Sequence, residues 1–183
     1  YKIKLLGVTQ MTGRGLEQRM QPCLVPASSP LGQLQGGTNM IVIEGDAIEQ
    51  VVLRGPGAGM GPTASAVMGD VCDIARGFQL PVFGQPVEML KDSVPAKSSL
   101  PAPYYLRMGL VDKPGAMAKI ATVLGESGIS IDRMRQYGNG EAAAPVLIVT
   151  HKASSNSIEL ALDAMESTGV LASKPVALRI EEI

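Results

Sequence analysis

The chain has 183 residues, 45% of them hydrophobic, and 16 basic side chains against 17 acidic ones for a net charge of −1. That length buries a sizeable core without staples and holds one large or two small domains. The even charge balance, 3% aromatic content and absence of Trp argue against nucleic acid and anionic membranes as partners. Two cysteines, Cys23 and Cys72, lack metal-ligand spacing, and His151 is the single histidine, so no metal site is expected. Both cysteines read as core thiols, which suits a reducing, cytoplasmic location. No apolar run reaches the roughly 18 residues of a membrane span. The first residue is Tyr1, followed at once by a strand-like run, which suggests a segment of a longer protein.

In chain order, strands are expected at 2–9, 17–25, 39–44 and 47–54. Pro26, Pro30, Gly36 and Gly37 mark a long connection between the second and third. A helix is expected from Pro62 to Arg76, with Ala64, Val67, Met68, Val71, Ile74 and Ala75 as a core-facing stripe. Residues 1–77 thus read as a partial mixed or antiparallel sheet with one covering helix, which leaves a sheet face to pack on something else. Between Gly77 and Pro103 lie five of the thirteen prolines; residues 78–103 read as a linker, with a short extended stretch at Val87–Leu90.

Residues 104–183 are patterned more sharply. Tyr104, Leu106, Met108 and Leu110 alternate with polar or small residues, as in a half-buried strand. Asp112-Lys113-Pro114-Gly115 opens a helix with the stripe Met117, Ile120, Ala121 and Leu124, ended by Gly128. Strands are expected at about 129–137 and 145–151, joined through Gly138-Asn139-Gly140. Asn156 and Glu159 form the spacing of a capping box ahead of Ile158, Ala161, Leu162 and Met165. Val176, Leu178 and Ile180 alternate with Ala177, Arg179 and Glu181 in a last strand. The order β-α-β-β-α-β predicts a ferredoxin-like sandwich, and the whole chain is α+β.

Two segments could carry chemistry. Val51–Arg54 runs into Gly55-Pro56-Gly57-Ala58-Gly59-Met60-Gly61 and a helix start. Glycines there let backbone amides approach a phosphate. Met60 stands where a dinucleotide fingerprint needs its third glycine, and no acidic strand follows. A P-loop is excluded because no Gly-Lys-Ser/Thr closes the turn. A cofactor-facing loop and a tight packing turn both stay open. At Asp112-x-Pro-Gly, an aspartate beside free amides of Gly115 and Ala116 could hold an amino acid by both ends, or simply cap the helix. His151 reads as structural, and Arg133 and Arg135 as a solvated or interfacial strand face. No catalytic constellation is present.

Taken together, the residues resemble homoserine dehydrogenase. The likeness is carried by Ile3-Lys4-Leu5-Leu6-Gly7-Val8, Leu24-Val25-Pro26, Pro30-Leu31 and Gly37-Thr38-Asn39. Its strongest part is Gly55-Pro56-Gly57-Ala58-Gly59 followed by Pro62-Thr63-Ala64-Ser65-Ala66-Val67 and Gly69-Asp70. Residues 104–183 resemble an ACT domain, a small regulatory ligand-binding module, through Asp112-Lys113-Pro114-Gly115, Gly128-Ile129-Ser130-Ile131 and Thr150-His151. The resemblance implies that residues 1–77 are the C-terminal part of a catalytic and dimerisation domain. It implies a parent that interconverts aspartate semialdehyde and homoserine with NADP or NAD, on the route to threonine and methionine. Gly57, Ala58 and Gly59 would approach the cofactor. Asp112, Gly115, Ala116, Ile129 and Ser130 would bind an amino-acid effector, threonine by likeness, commonly where two ACT domains meet in a dimer or tetramer. The family's nucleotide fold, catalytic lysine and substrate-binding acids have no counterpart in these residues, so the chain alone is expected to be inactive. A non-enzymatic amino-acid-sensing or assembly module built on an ACT domain is the alternative.

Overall fold

The computed structural model describes residues 1–78, 80–138 and 143–182. It divides into two units: residues 1–27 with 95–183, and residues 28–94. The stretch read from the sequence as one block, 1–77, is therefore shared between them.

The first unit is built on a six-stranded mixed sheet. β1 (Lys2–Thr12) and β2 (Gly15–Val25) form a hairpin, longer than the strands expected at 2–9 and 17–25. The strands β5 (Tyr104–Val111), β6 (Ile131–Gln136), β7 (Ala143–Thr150) and β8 (Leu171–Ile180), with helices α3 (Ala116–Glu126) and α4 (Ser155–Glu166), complete it. The sheet order is β1-β2-β8-β5-β7-β6, so residues 104–180 form the expected βαββαβ sandwich and the hairpin extends it. β2 joins β8 in parallel over only two residue pairs, Cys23–Arg179 and Leu24–Ile180. The turn expected at Gly138-Asn139-Gly140 lies largely outside the described residues.

The core sits between this sheet and its helices. Leu106, Leu110, Ile120, Leu124, Val146, Ile148 and Met165 are all 2% exposed or less, as the strand alternation and helix stripes predict. At the last strand the pattern misleads: Val176 is exposed while Arg179 is 5% exposed. β8 has a neighbour on each side, and Glu181 just beyond it and the Tyr104 hydroxyl on β5 supply the polar groups that allow Arg179 inside. α4 also starts differently: Ser154, not Asn156, is its N-cap, accepting from the Ser157 N–H at 3.0 Å.

The second unit holds α1 (Pro30–Gln33), the antiparallel pair β3 (Thr38–Gly45) and β4 (Glu49–Pro56), helix α2 (Met60–Ala75) and a 3-10 turn at Val87–Met89. α1 was not anticipated; Ser29 caps it by accepting from the Gly32 N–H at 3.1 Å. The extended stretch expected at Val87–Leu90 is instead that single 3-10 turn. Among the described residues of this unit only Ser29 and Gly32 are buried. Every residue of α2 is exposed, including Val67, Met68, Val71 and Ile74. The core-facing stripe thus has no core here, and Cys72, expected as a core thiol, is exposed while Cys23 is buried.

Candidate functional site

The glycine segment follows β4 and starts α2. Gly57 donates its N–H to the Gly37 carbonyl at 3.4 Å, which holds the turn against the start of β3. A Cβ at Gly57 would stand 2.5 Å from Asn39 Nδ2, so any side chain there would push the exposed Asn39 amide aside. Gly59, at φ +133° and ψ 150°, is the N-cap of α2 without a side-chain hydrogen bond. That backbone region is essentially glycine-only. Both readings left open by the sequence therefore have a physical basis in different glycines: Gly57 packs, and Gly59 shapes an uncapped helix start. Pro62 has no N–H to give, Thr63 already bonds the Gly59 carbonyl at 3.1 Å, and Met60 is 91% exposed. The start of α2 at Gly59–Gly61 therefore offers glycine backbone with a partial positive charge beside the exposed Met60 side chain, which fits an anionic or polarised cofactor group.

The expected effector residues do not come together within one chain. Asp112, Gly115 and Ala116 follow β5, whose last residue Val111 pairs with Ala143. Ile129 and Ser130 precede β6, whose first residue Ile131 pairs with Thr150 at the other end of β7. The 11-residue α3 separates the two groups, a length of about 16 Å. At the first end, Gly115 is left-handed (φ +85°) and caps α3 without a side-chain bond. Asp112 is exposed. The Ala116 N–H, expected to be free, donates to the Lys113 carbonyl at 3.2 Å, because the tight Pro114-Gly115 turn folds back on itself.

At the second end, Ile129 is 4% exposed and belongs to the core, while Ser130 is exposed and its carbonyl accepts from the His151 N–H at 2.9 Å. A cavity of about 240 Å³ lies beside it, walled by Asp132, Arg133, Thr150, His151, Lys152 and Glu182 among others. Arg133 donates to Asp132 at 2.8 Å. Next to His151, the 1% exposed Thr150 accepts from the Tyr104 N–H at 3.0 Å through Oγ1. Among the described residues no group of three metal-ligating side chains occurs, and no helix is long and apolar enough to cross a membrane.

Sequence reasoning missed a charge cluster between β2 and β8. Arg19 donates to Glu17 Oε1 through Nη1 and to Glu181 Oε1 through Nη2, the latter at 2.6 Å. Arg179 Nε donates to the same Glu181 oxygen at 2.5 Å, and its Nη1 to the Tyr104 hydroxyl at 3.5 Å. Glu17 Oε2 accepts the Leu100 N–H at 2.9 Å. All four charged side chains are 12% exposed or less. Burial opposes the Arg179 charge, yet the bonds to Tyr104 and Glu181 outweigh it and hold the guanidinium above its ordinary value. Burial pushes the neighbouring Cys23 thiol up. The available signal was the i, i+2 spacing of Glu17 with Arg19 and of Arg179 with Glu181, which places each pair on one strand face.

Residues 1–72 match the homoserine dehydrogenase family, and residues 104–170 match the ACT domain. The homoserine dehydrogenase of Neisseria gonorrhoeae is 33% identical over 191 residues, covering 100% of this chain and 44% of the relative. That of Pseudomonas aeruginosa is 33% identical over 193 residues, with the same coverages. The crystal structure of a homoserine dehydrogenase from Thiobacillus denitrificans superposes with a TM-score of 0.86 at 31% identity, covering 100% of this chain and 43% of that one. The chain thus spans less than half the length of these relatives. It belongs to the homoserine dehydrogenase family, corresponding to part of the catalytic domain followed by an ACT domain in the C-terminal portion of those enzymes.

Proposed function

We propose that these residues are the cofactor-facing and effector-sensing portion of an NAD(P)-dependent homoserine dehydrogenase. In this reading residues 1–77 belong to the catalytic and dimerisation domain, 78–103 link, and 104–183 are the regulatory ACT domain. The observation that carries it is the uncapped, glycine-shaped start of α2 on a helix whose apolar face is wholly exposed. A nucleotide-binding domain covering that face would meet the bare backbone of Gly57-Ala58-Gly59 at the nicotinamide end. When bound, NAD(P)H supplies the hydride that converts the aldehyde of aspartate semialdehyde to an alcohol. The loop's part is to approach without side chains and to direct the partial positive charge of the helix start toward that site.

The separation of Asp112–Ala116 from Ile129–Ser130 supports an effector site shared between two copies, each contributing one end of α3. Threonine is the effector we assign, and an even-numbered oligomer in the cytoplasm follows from the shared site and the family. The 183 residues hold no dinucleotide-binding sheet among those described, so the isolated chain should not oxidise homoserine with NADP or NAD. Turnover comparable to that of a full-length relative would overturn this. The alternative, an amino-acid-sensing or assembly module without chemistry, has one point in its favour: among the described residues the hydrophobic core lies in the unit containing the ACT domain. Calorimetric titration with threonine alongside reconstitution with a separately expressed nucleotide-binding domain separates the two. Restored turnover supports the enzyme, and threonine binding without turnover supports the sensor.

A further inference from the structure

Hydrogen bonds joined by short covalent stretches of Thr150–His151 and of Tyr104 lead from the Ile129–Ser130 edge to β2. The Ser130 carbonyl accepts the His151 N–H at 2.9 Å. The adjoining Thr150 Oγ1 accepts the Tyr104 N–H, and the Tyr104 hydroxyl accepts from Arg179. Arg179 and Arg19 share Glu181 Oε1, and Arg19 also holds Glu17, whose second oxygen takes the Leu100 N–H. β2 then runs covalently through Pro26 into the second unit. The backbone joint between β2 and β8 is two pairs long, so the register of the hairpin against the ACT sheet depends heavily on these side chains. Four buried charges do not loosen by degrees. Removing one partner strands another in a poorly solvated place, so the cluster is either made or broken.

We propose that the Glu17–Arg19–Glu181–Arg179 cluster is the joint through which ligand at the Ser130 end of the ACT domain is felt in β2, with Glu181 as the positioning residue. This rests on the effector reading above and deepens it.

The test uses the full 183-residue chain with L-threonine at millimolar concentration as the probe, calorimetry for binding, and hydrogen exchange for response. In the native chain threonine should slow exchange in both 131–136 and 15–25. Glu181→Gln should keep threonine affinity within about two-fold and keep the response in 131–136, while the response in 15–25 shrinks about five-fold or more. Tyr104→Phe, which removes one hydroxyl and preserves the packing, should weaken the same distant response. A purely structural role would lower stability without uncoupling the two segments. Threonine that binds and slows 131–136 but leaves 15–25 unchanged in the native chain overturns the joint and spares the effector reading. So does a Glu181→Gln variant that responds like the native chain. No threonine binding at all overturns both.

Discussion

Gly57 and Gly59 are two residues apart in the candidate cofactor loop, yet the structure assigns them different reasons for being glycine. At Gly57 an added Cβ would lie 2.5, 2.7 and 2.8 Å from Nδ2, Cγ and Oδ1 of Asn39, about 1 Å inside ordinary contact distance. Gly57→Ala therefore forces the exposed Asn39 amide aside, a rotamer cost of about 1 kcal/mol. Hydrogen exchange of the β3–β4 amides reads that as roughly five-fold faster local opening. Replacing Asn39 by Ala removes the clashing amide, so Asn39→Ala/Gly57→Ala should recover to within about 0.5 kcal/mol of Asn39→Ala alone. Gly59→Ala is different in kind. Its φ of +133° strains any L side chain by about 1–3 kcal/mol, and no substitution at Asn39 should relieve it. The reasoning fails if the Asn39→Ala/Gly57→Ala double variant exchanges as fast as Gly57→Ala, or if Asn39→Ala rescues Gly59→Ala.

Ile120→Ala, at a position 0% exposed between α3 and the sheet, should cost about 2–5 kcal/mol and lower the thermal midpoint of the first unit by roughly 10 °C or more. A shift of a degree or two would show that the core collapses around the gap. Ser154→Ala should cost about 1 kcal/mol by loss of the α4 cap, read by denaturant unfolding; Asn156→Ala, outside the cap, should leave the midpoint unchanged. Thiol labelling should modify the exposed Cys72 in the native chain and reach Cys23 only on unfolding. Because the Cys23 thiol is raised by burial, the unfolded chain releases that proton first as pH climbs above about 8.5. The unfolded state then binds fewer protons than the folded one, so stability falls with pH there; Cys23→Ser should flatten that alkaline slope.

The parts of the fold legible in the sequence are those whose periodicity reports burial within this chain. Leu106 and Leu110 on β5, and Ile120 and Leu124 on α3, repeat at the spacing of their element and pack on one another. The 3.6-residue stripe of α2 is equally regular, yet Val67, Val71 and Ile74 face outward, because periodicity says that a face is to be covered and not what covers it. Arg179 escaped for the opposite reason. A charged residue on a strand reads as solvent-facing even with a counter-charge two residues on, because what buries the Arg179–Glu181 pair is remote: the Tyr104 hydroxyl lies 75 residues before Arg179, and Arg19, which shares Glu181, lies 162 residues before that glutamate. The candidate loop was recognisable as glycine-rich, but the division of labour between Gly57 and Gly59 depends on Asn39 and on φ, neither of which spacing reveals.

Both candidate sites share a physical property that ties the proposed function to assembly. Burying side chains such as Val67, Met68, Val71 and Ile74 gains about 1.5–3 kcal/mol each when complete, and α2 has not collected it within its own unit. A helix kept apolar on one face, with a glycine-shaped start that no side chain caps, is suited to be pressed against a second fold with a ligand between them. The ACT half shows the same logic at smaller scale. The residues proposed for the effector are held at opposite ends of α3 by the core, so no rotamer change brings them to one ligand, and in the proposed reading a second copy supplies the missing end. In that reading the sandwich core of residues 104–180 is a ruler, fixing the distance between the two proposed half-sites. The β2–β8 joint connects that ruler to the strand that leads toward the glycine loop.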